Sequence, residues 1–158
     1  MFGGTDYGMM SVLASSYKET GGQDLVGVMA KDLAEVTKGY KPFTALDESI
    51  WCDTMYERKA TIAEKSDGFI ILPGGYGTIE ELGDFFGGKV NKLYDKPIVV
   101  YNFGGYYNSL IAFFNELHKK EFSKVKFSEI VHITEDMNSI LDYFNRYTSN
   151  EVEDKFVE

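Results

Sequence analysis

The sequence predicts an α/β fold, a doubly wound parallel sheet with helices on both faces. Three observations predict it. Short apolar runs recur along the 158 residues, and each leads into a longer segment of helical character. The runs are apolar throughout rather than alternating, as expected for strands buried on both faces. Strand-like and helix-like segments also alternate in order, the pattern of a parallel sheet.

Taken in order, Met1 to Gly4 reads as the last residues of a strand, followed by a helix at about 8–20. Leu25 to Met29 is the next strand, and Ile50 to Cys52 is a short one. A helix at about 54–66 follows, with Asp53 or Thr54 as its cap. "GFIIL", Gly68 to Leu72, is the strongest strand and leads toward a helix at about 79–91. "IVVY", Ile98 to Tyr101, precedes a helix at about 106–120. Within it "LIAFFNEL" (110–117) carries apolar residues at helical spacing, a core face or a dimer interface. Ile130 to Ile133 and a helix at about 135–147 complete the series. Residues 1–150 read as one domain, with no internal repeat or linker, and 151–158 as a solvated acidic tail. A Rossmann-like domain normally has a full strand and helix before the first glycine pair, so the chain reads as beginning in mid-fold.

Composition narrows the function. A net charge of −9 argues against nucleic acid or an anionic membrane as the main partner. It leaves room for a small anionic ligand at a locally positive site. Twelve Phe and eleven Tyr suggest aromatic-rich packing or an oligomer interface. The single cysteine, Cys52, gives no disulfide framework and no cysteine-based metal site. No run approaches membrane-spanning length and no leader pattern opens the chain, so a cytoplasmic protein is expected.

The candidate chemistry starts at Pro73-Gly74-Gly75-Tyr76-Gly77-Thr78, directly after the strongest strand. In a doubly wound sheet, ligands bind where strands lead into helices. Glycines there permit positive φ and a close approach of ligand to backbone. Successive N–H groups ahead of a helix form an anion site. The segment is not a P-loop, since no Lys-Ser/Thr follows the glycines. An ordinary reading competes: Thr78-Ile79-Glu80-Glu81 has the form of a capping box, with Thr78 the cap and Glu81 reaching back.

A second group sits in "CDTMYERKA", where Arg58 and Lys59 lie in the first turns of a helix. Were the strands before the two helices parallel neighbours, Arg58, Lys59 and Glu81 would face one cleft. Two cations near a helix N-terminus oppose its dipole, and a bound phosphate would relieve the conflict. The alternative makes Arg58 and Lys59 surface charges paired with Glu57 or Glu64.

These residues resemble the LOG (lonely guy) family. "PGGYGTIEE" matches its PGGxGTxxE signature and "MYERKA" its M-x-x-R-K element. "FGGTDYGMM" looks like the family's GG-x-x-x-G-x-M segment, and "DKPIVVYNFGGYYNSL" like its next strand, loop and helix. The resemblance covers nearly the whole chain. Family members are cytokinin riboside 5′-monophosphate phosphoribohydrolases or related nucleotide hydrolases, many of which carried a mistaken lysine-decarboxylase label. The resemblance therefore implies cleavage of the N-glycosidic bond of AMP or an N6-substituted AMP, to free base and ribose 5-phosphate. It implies a homodimer. By motif match, Arg58 and Glu81 are the catalytic pair, while Met55, Lys59, Gly74, Gly75, Tyr76, Gly77 and Thr78 hold the nucleotide. No metal or organic cofactor is required, and nothing points to a Schiff-base lysine.

The chemistry is coherent with those residue types. Glycosidic cleavage develops oxocarbenium character, which a carboxylate stabilises. A phosphate anchor positions the sugar from a distance. Two departures from the family pattern carry expectations. The chain is expected to lack the family's first strand and helix. Gly87-Gly88-Lys89-Val90-Asn91 stands where plant-like members have Thr-Trp-x-Gln-Leu, so the paired glycines should weaken or end the helix and reduce bulk near the base. The competing functions are a non-catalytic nucleotide- or cofactor-binding protein of the same fold and a structural subunit without ligand. His118 and His132 are expected in packing or surface roles. Cys52 is expected as a packing residue, with a lowered pKa the alternative, and Tyr106 and Tyr107 to close a loop and pack a helix.

Overall fold

The computed structural model describes residues 1–148, so the acidic tail expected at 151–158 lies outside the described residues. The chain divides into two compact units, Met1–Ser66 and one beginning at Asp67. Both are parallel α/β structures, and the fold is Rossmann-like.

In the first unit α1 (Gly8–Glu19) precedes β1 (Val26–Ala30), α2 (Lys31–Val36), β2 (Glu48–Cys52) and α3 (Met55–Lys65). β1 and β2 pair in parallel, from Val26 opposite Glu48 to Ala30 opposite Cys52. The expected strand end at Met1–Gly4 is present as a parallel bridge between Phe2 and Gly27. Phe2 donates to Val26 O and accepts from Val28 N, both at 2.9 Å. β1 is the core strand of this unit, with Val28, Met29 and Ala30 all buried. α3 is capped by Thr54 rather than Asp53, the Thr54 hydroxyl accepting from Glu57 N at 3.2 Å. α2 is six residues of mixed polarity and had no periodic signal in the sequence.

In the second unit β3 (Phe69–Ile71), β4 (Ile98–Tyr101) and β5 (His132–Thr134) form a parallel sheet in the order β3-β4-β5. α4 (Tyr76–Val90) follows β3, and α5 (Asn108–Lys119) and α6 (Phe127–Ile130) follow β4. α7 (Met137–Arg146) ends the described fold. Ile98, Val99 and Val100 are fully buried, as a central parallel strand requires. Phe69 stacks on Phe85 at 4.1 Å and Phe114 on Phe127 at 4.4 Å, so the aromatic content packs helices onto this sheet and onto each other. α5 contributes Phe114 to this packing and leaves Phe113 exposed.

β2 pairs with β1, and β3 with β4. Two expectations are corrected here. Ile130 closes a helical turn rather than opening a strand, because Glu129 takes the Lys126 N–H at 3.1 Å and Val131 donates to Phe127 O. α4 also runs straight through Gly87 and Gly88 to Val90. It does so because Gly88 receives Tyr94: a Cβ there would stand 2.5 Å from the Tyr94 hydroxyl, which donates to Phe85 O at 3.0 Å. Lys89 beside it is 2% exposed, with its ammonium on Lys96 O (3.1 Å) and the Tyr147 hydroxyl (2.5 Å). No helix among the described residues is long and apolar enough to cross a membrane.

Candidate active site

The residues singled out from sequence fall into two groups, one in each unit. The first is on α3. Met55 is its first residue, and Arg58 and Lys59 follow at three and four positions, hence on the same face. That face looks inward: Arg58 and Lys59 are each 7% exposed. They are therefore not the surface charges of the alternative reading. Arg58 Nε donates to Val28 O of β1 at 2.9 Å. Its guanidinium occupies space left by a missing side chain, since a Cβ on Gly3 would meet Nη2 at 2.3 Å. Burial pushes the Tyr40 phenol above its usual range, opposed by the charge of Arg58 and a backbone hydrogen bond at Ala30. Tyr40 thus stands within the electrostatic reach of Arg58. The Lys59 ammonium lies 5.2 Å from the centre of the Tyr56 ring.

The N-terminus of α3 is occupied by carboxylates of the same unit. Asp32 Oδ2 accepts from Met55 N at 3.1 Å, and Glu57 Oε2 accepts from Asp53 N at 2.8 Å. Asp53 in turn holds Lys31 at 2.6 Å, which keeps its carboxyl below the usual range. The Asp32 and Glu57 carboxylates face the positive end of the α3 dipole.

The second group begins at α4. The helix starts three residues earlier than expected, with Gly75 at its N-cap, so Thr78 is not the cap and the predicted capping box is not formed. Gly75 has no side chain with which to cap the helix. Thr78 instead folds against Gly74, where a Cβ would lie 2.1 Å from its Oγ1. None of Gly74, Gly75 and Gly77 adopts positive φ, which corrects that part of the reasoning. Close approach remains: beside Gly75 and Gly77 an added Cβ would meet nothing within 4 Å. Tyr76 between them is 96% exposed. Glu81 is half-buried and lies four residues after Gly77 and three after Thr78, on the same helix face. The rise between Gly77 and Glu81 is about 6 Å.

Sequence reasoning missed how this loop is held. The Tyr106 hydroxyl donates to Gly74 O at 2.8 Å, and the Tyr107 hydroxyl to Leu72 O at 2.6 Å. The turn bearing both tyrosines is fixed by Asn102, whose Oδ1 accepts from Tyr107 N at 2.7 Å and whose Nδ2 donates to Asn108 Oδ1 at 2.9 Å. Gly105 in this turn has φ of 72°, a conformation that favours glycine. The expectation that Tyr106 and Tyr107 close a loop is met, and Asn102 and Gly105 are its unanticipated support. The remaining candidates have packing partners. His118 Nδ1 lies 3.0 Å from Ser123 O, and His132 Nε2 lies 2.8 Å from Ser139 Oγ with its ring stacked on Tyr143. Cys52 is buried, 3.5 Å from the Thr61 hydroxyl. Among the described residues no three His, Cys, Asp or Glu side chains are grouped to hold a metal.

A parallel α/β fold with a glycine-rich helix start directly after a strand defines a Rossmann-like protein. A family model described as "Possible lysine decarboxylase" matches residues 10–144. The chain is 33% identical over 150 residues to a probable cytokinin riboside 5′-monophosphate phosphoribohydrolase of Oryza sativa subsp. japonica, covering 94% of this chain and 58% of the rice protein. A second rice protein of the same description is 32% identical over 155 residues, 97% of this chain and 67% of its own length. A cytokinin riboside 5′-monophosphate phosphoribohydrolase of Arabidopsis thaliana is 34% identical over 133 residues, 83% of this chain and 59% of its own. The chain belongs to this family, the LOG family. It spans 58% to 67% of the length of these three relatives.

Proposed function

We infer that this protein hydrolyses the N-glycosidic bond of a nucleoside 5′-monophosphate, AMP or an N6-substituted AMP, releasing the base and ribose 5-phosphate. The observation that carries the reading is the start of α4: bare glycine backbone at an uncapped helix end, open space at Gly75 and Gly77, and Glu81 one turn further on the same face. The names of the curated relatives support the reaction class, and the family model's decarboxylase description has no counterpart in those names.

In this reading the 5′-phosphate sits on the N–H groups of Gly75 to Thr78, where the helix dipole favours an anion. Met55, Lys59 and Tyr76 complete the nucleotide contacts. Glu81 stabilises positive charge developing on the ribose and orients the attacking water. Arg58, held by Val28 O, serves with Glu81 as the catalytic pair. The water adds to C1′, the bond from C1′ to the base nitrogen breaks, and the base leaves with its electron pair and a proton. The homodimer that the family resemblance implies and the cytoplasmic setting expected from the sequence belong to the same proposal. The test is incubation with AMP and with N6-prenylated AMP, followed by chromatography for base and ribose 5-phosphate. Equal amounts of the two products are expected; binding without product from either substrate would leave a nucleotide-binding protein instead.

A further inference from the structure

We propose that Tyr106 is a positioning residue: its hydroxyl locks the Gly74–Gly75 peptide so that the Gly75 N–H faces a bound phosphate. This rests on the reading of the α4 start as a phosphate site.

The argument is one of peptide geometry. A trans peptide is planar, with its C=O and N–H pointing in opposite directions. The C=O of Gly74 is held by the Tyr106 hydroxyl at 2.8 Å. The N–H in the same peptide plane belongs to Gly75, the N-cap of α4, and is thereby turned away from Tyr106. Open space lies beside Gly75. No side chain on either glycine resists rotation of this peptide, so it is free to flip unless something outside the loop holds it. A flip would replace a donor by an acceptor at the point where an anion binds.

The neighbouring tyrosine provides an internal contrast. Tyr107 holds Leu72 O at 2.6 Å, but that carbonyl shares its peptide with the nitrogen of Pro73, which carries no hydrogen. The Tyr107 hydroxyl also meets the backbone N–H of Gly74, so Tyr107 fixes the peptide before Gly74 and not the one that carries the Gly75 N–H. Tyr107 is also 2% exposed and packs edge-on against Tyr106, so its contribution is to stability. Tyr106 is 57% exposed, and its hydroxyl can be removed with little disturbance to packing.

The experiment compares Tyr106→Phe and Tyr107→Phe with the unaltered protein, using calorimetric titration with inorganic phosphate and with ribose 5-phosphate, plus melting temperatures. Tyr106→Phe should weaken both anions about tenfold, equivalent to about 1.4 kcal/mol, with melting near that of the unaltered protein. For AMP the loss should fall on KM more than on kcat, and the preference for AMP over unphosphorylated adenosine should drop by the same factor. Tyr107→Phe should lower the melting temperature more than it lowers phosphate affinity. Equal binding by Tyr106→Phe and the unaltered protein would overturn the proposal, as would an equal loss in both variants, which would signify general loosening of the loop. Should the unaltered protein bind ribose 5-phosphate yet cleave no nucleotide, the hydrolase reading fails alone and the binding comparison still decides. Should it bind neither anion, both fall.

Discussion

Arg58 Nε donates to the main-chain carbonyl of Val28 at 2.9 Å, which ties the side chain of α3 to the core strand of its unit. The bond uses the one guanidinium nitrogen nearest the chain and leaves the terminal nitrogens to other partners. Lysine has no equivalent donor and presents a compact charge. Arg58→Lys should therefore reduce kcat by about 100-fold or more, the range seen for loss of an aligned electrostatic group. Steady-state kinetics on AMP check this; a loss confined to KM would assign Arg58 to binding.

Gly3→Ala separates position from chemistry. The new Cβ would stand 2.3 Å from Arg58 Nη2 and 2.8 Å from Met10 Sδ, so the guanidinium has to shift while its charge remains. Activity is expected to fall by at least tenfold, with destabilisation in the ~1–3 kcal/mol range of core overpacking. Denaturant unfolding and kinetics on the same preparation measure both.

At the loop, Gly74→Ala places a Cβ 2.1 Å from Thr78 Oγ1 and forces the hydroxyl aside. Weaker binding of ribose 5-phosphate is expected, together with lower stability. Gly74→Ala with Thr78→Ala removes the hydroxyl contact but keeps the Thr78 Cβ at 2.9 Å, so the double variant should recover part of the stability without recovering affinity. Such a departure from additivity is the signature of two groups in direct contact.

Glu81→Gln keeps the size of the side chain and removes its charge. The variant should bind nucleotide close to normally and lose turnover by about 100-fold or more, as expected for a group acting on the transition state. A variant that is chiefly less stable would assign Glu81 a structural role.

Burial pushes the Tyr94 phenol up to about 12, with the charge of Asp84 adding to the effect. A raised pKa in the folded protein means that the folded state holds this proton longer than the unfolded one. The stability it contributes is complete below pH 10 and lost as pH rises through about 12. Alkaline unfolding should steepen across that interval, and Tyr94→Phe should flatten it, as monitored by circular dichroism with phenolate absorbance.

β4 was legible from sequence because a buried parallel strand is a continuous apolar run, and "IVVY" corresponds to it residue for residue. The pairing of strands was not, since register depends on contacts distant in the chain. Thr78-Ile79-Glu80-Glu81 misled because a capping box is a local pattern, whereas the loop is set by Tyr106 and Tyr107, some thirty residues on. The motifs located Arg58 and Lys59 but not their burial, because the space for Arg58 comes from the absent side chain of Gly3. Gly87-Gly88 looked like a helix end; the helix continues because Tyr94 fills the space that Gly88 leaves.

The most direct test of the central claim is the ratio of kcat/KM for AMP to that for adenosine, each followed by release of free adenine. The phosphate-anchored mechanism predicts a ratio of about 100 or more, since binding energy at the phosphate positions the reacting bond. Equal rates on both substrates, or no adenine from either, would contradict it.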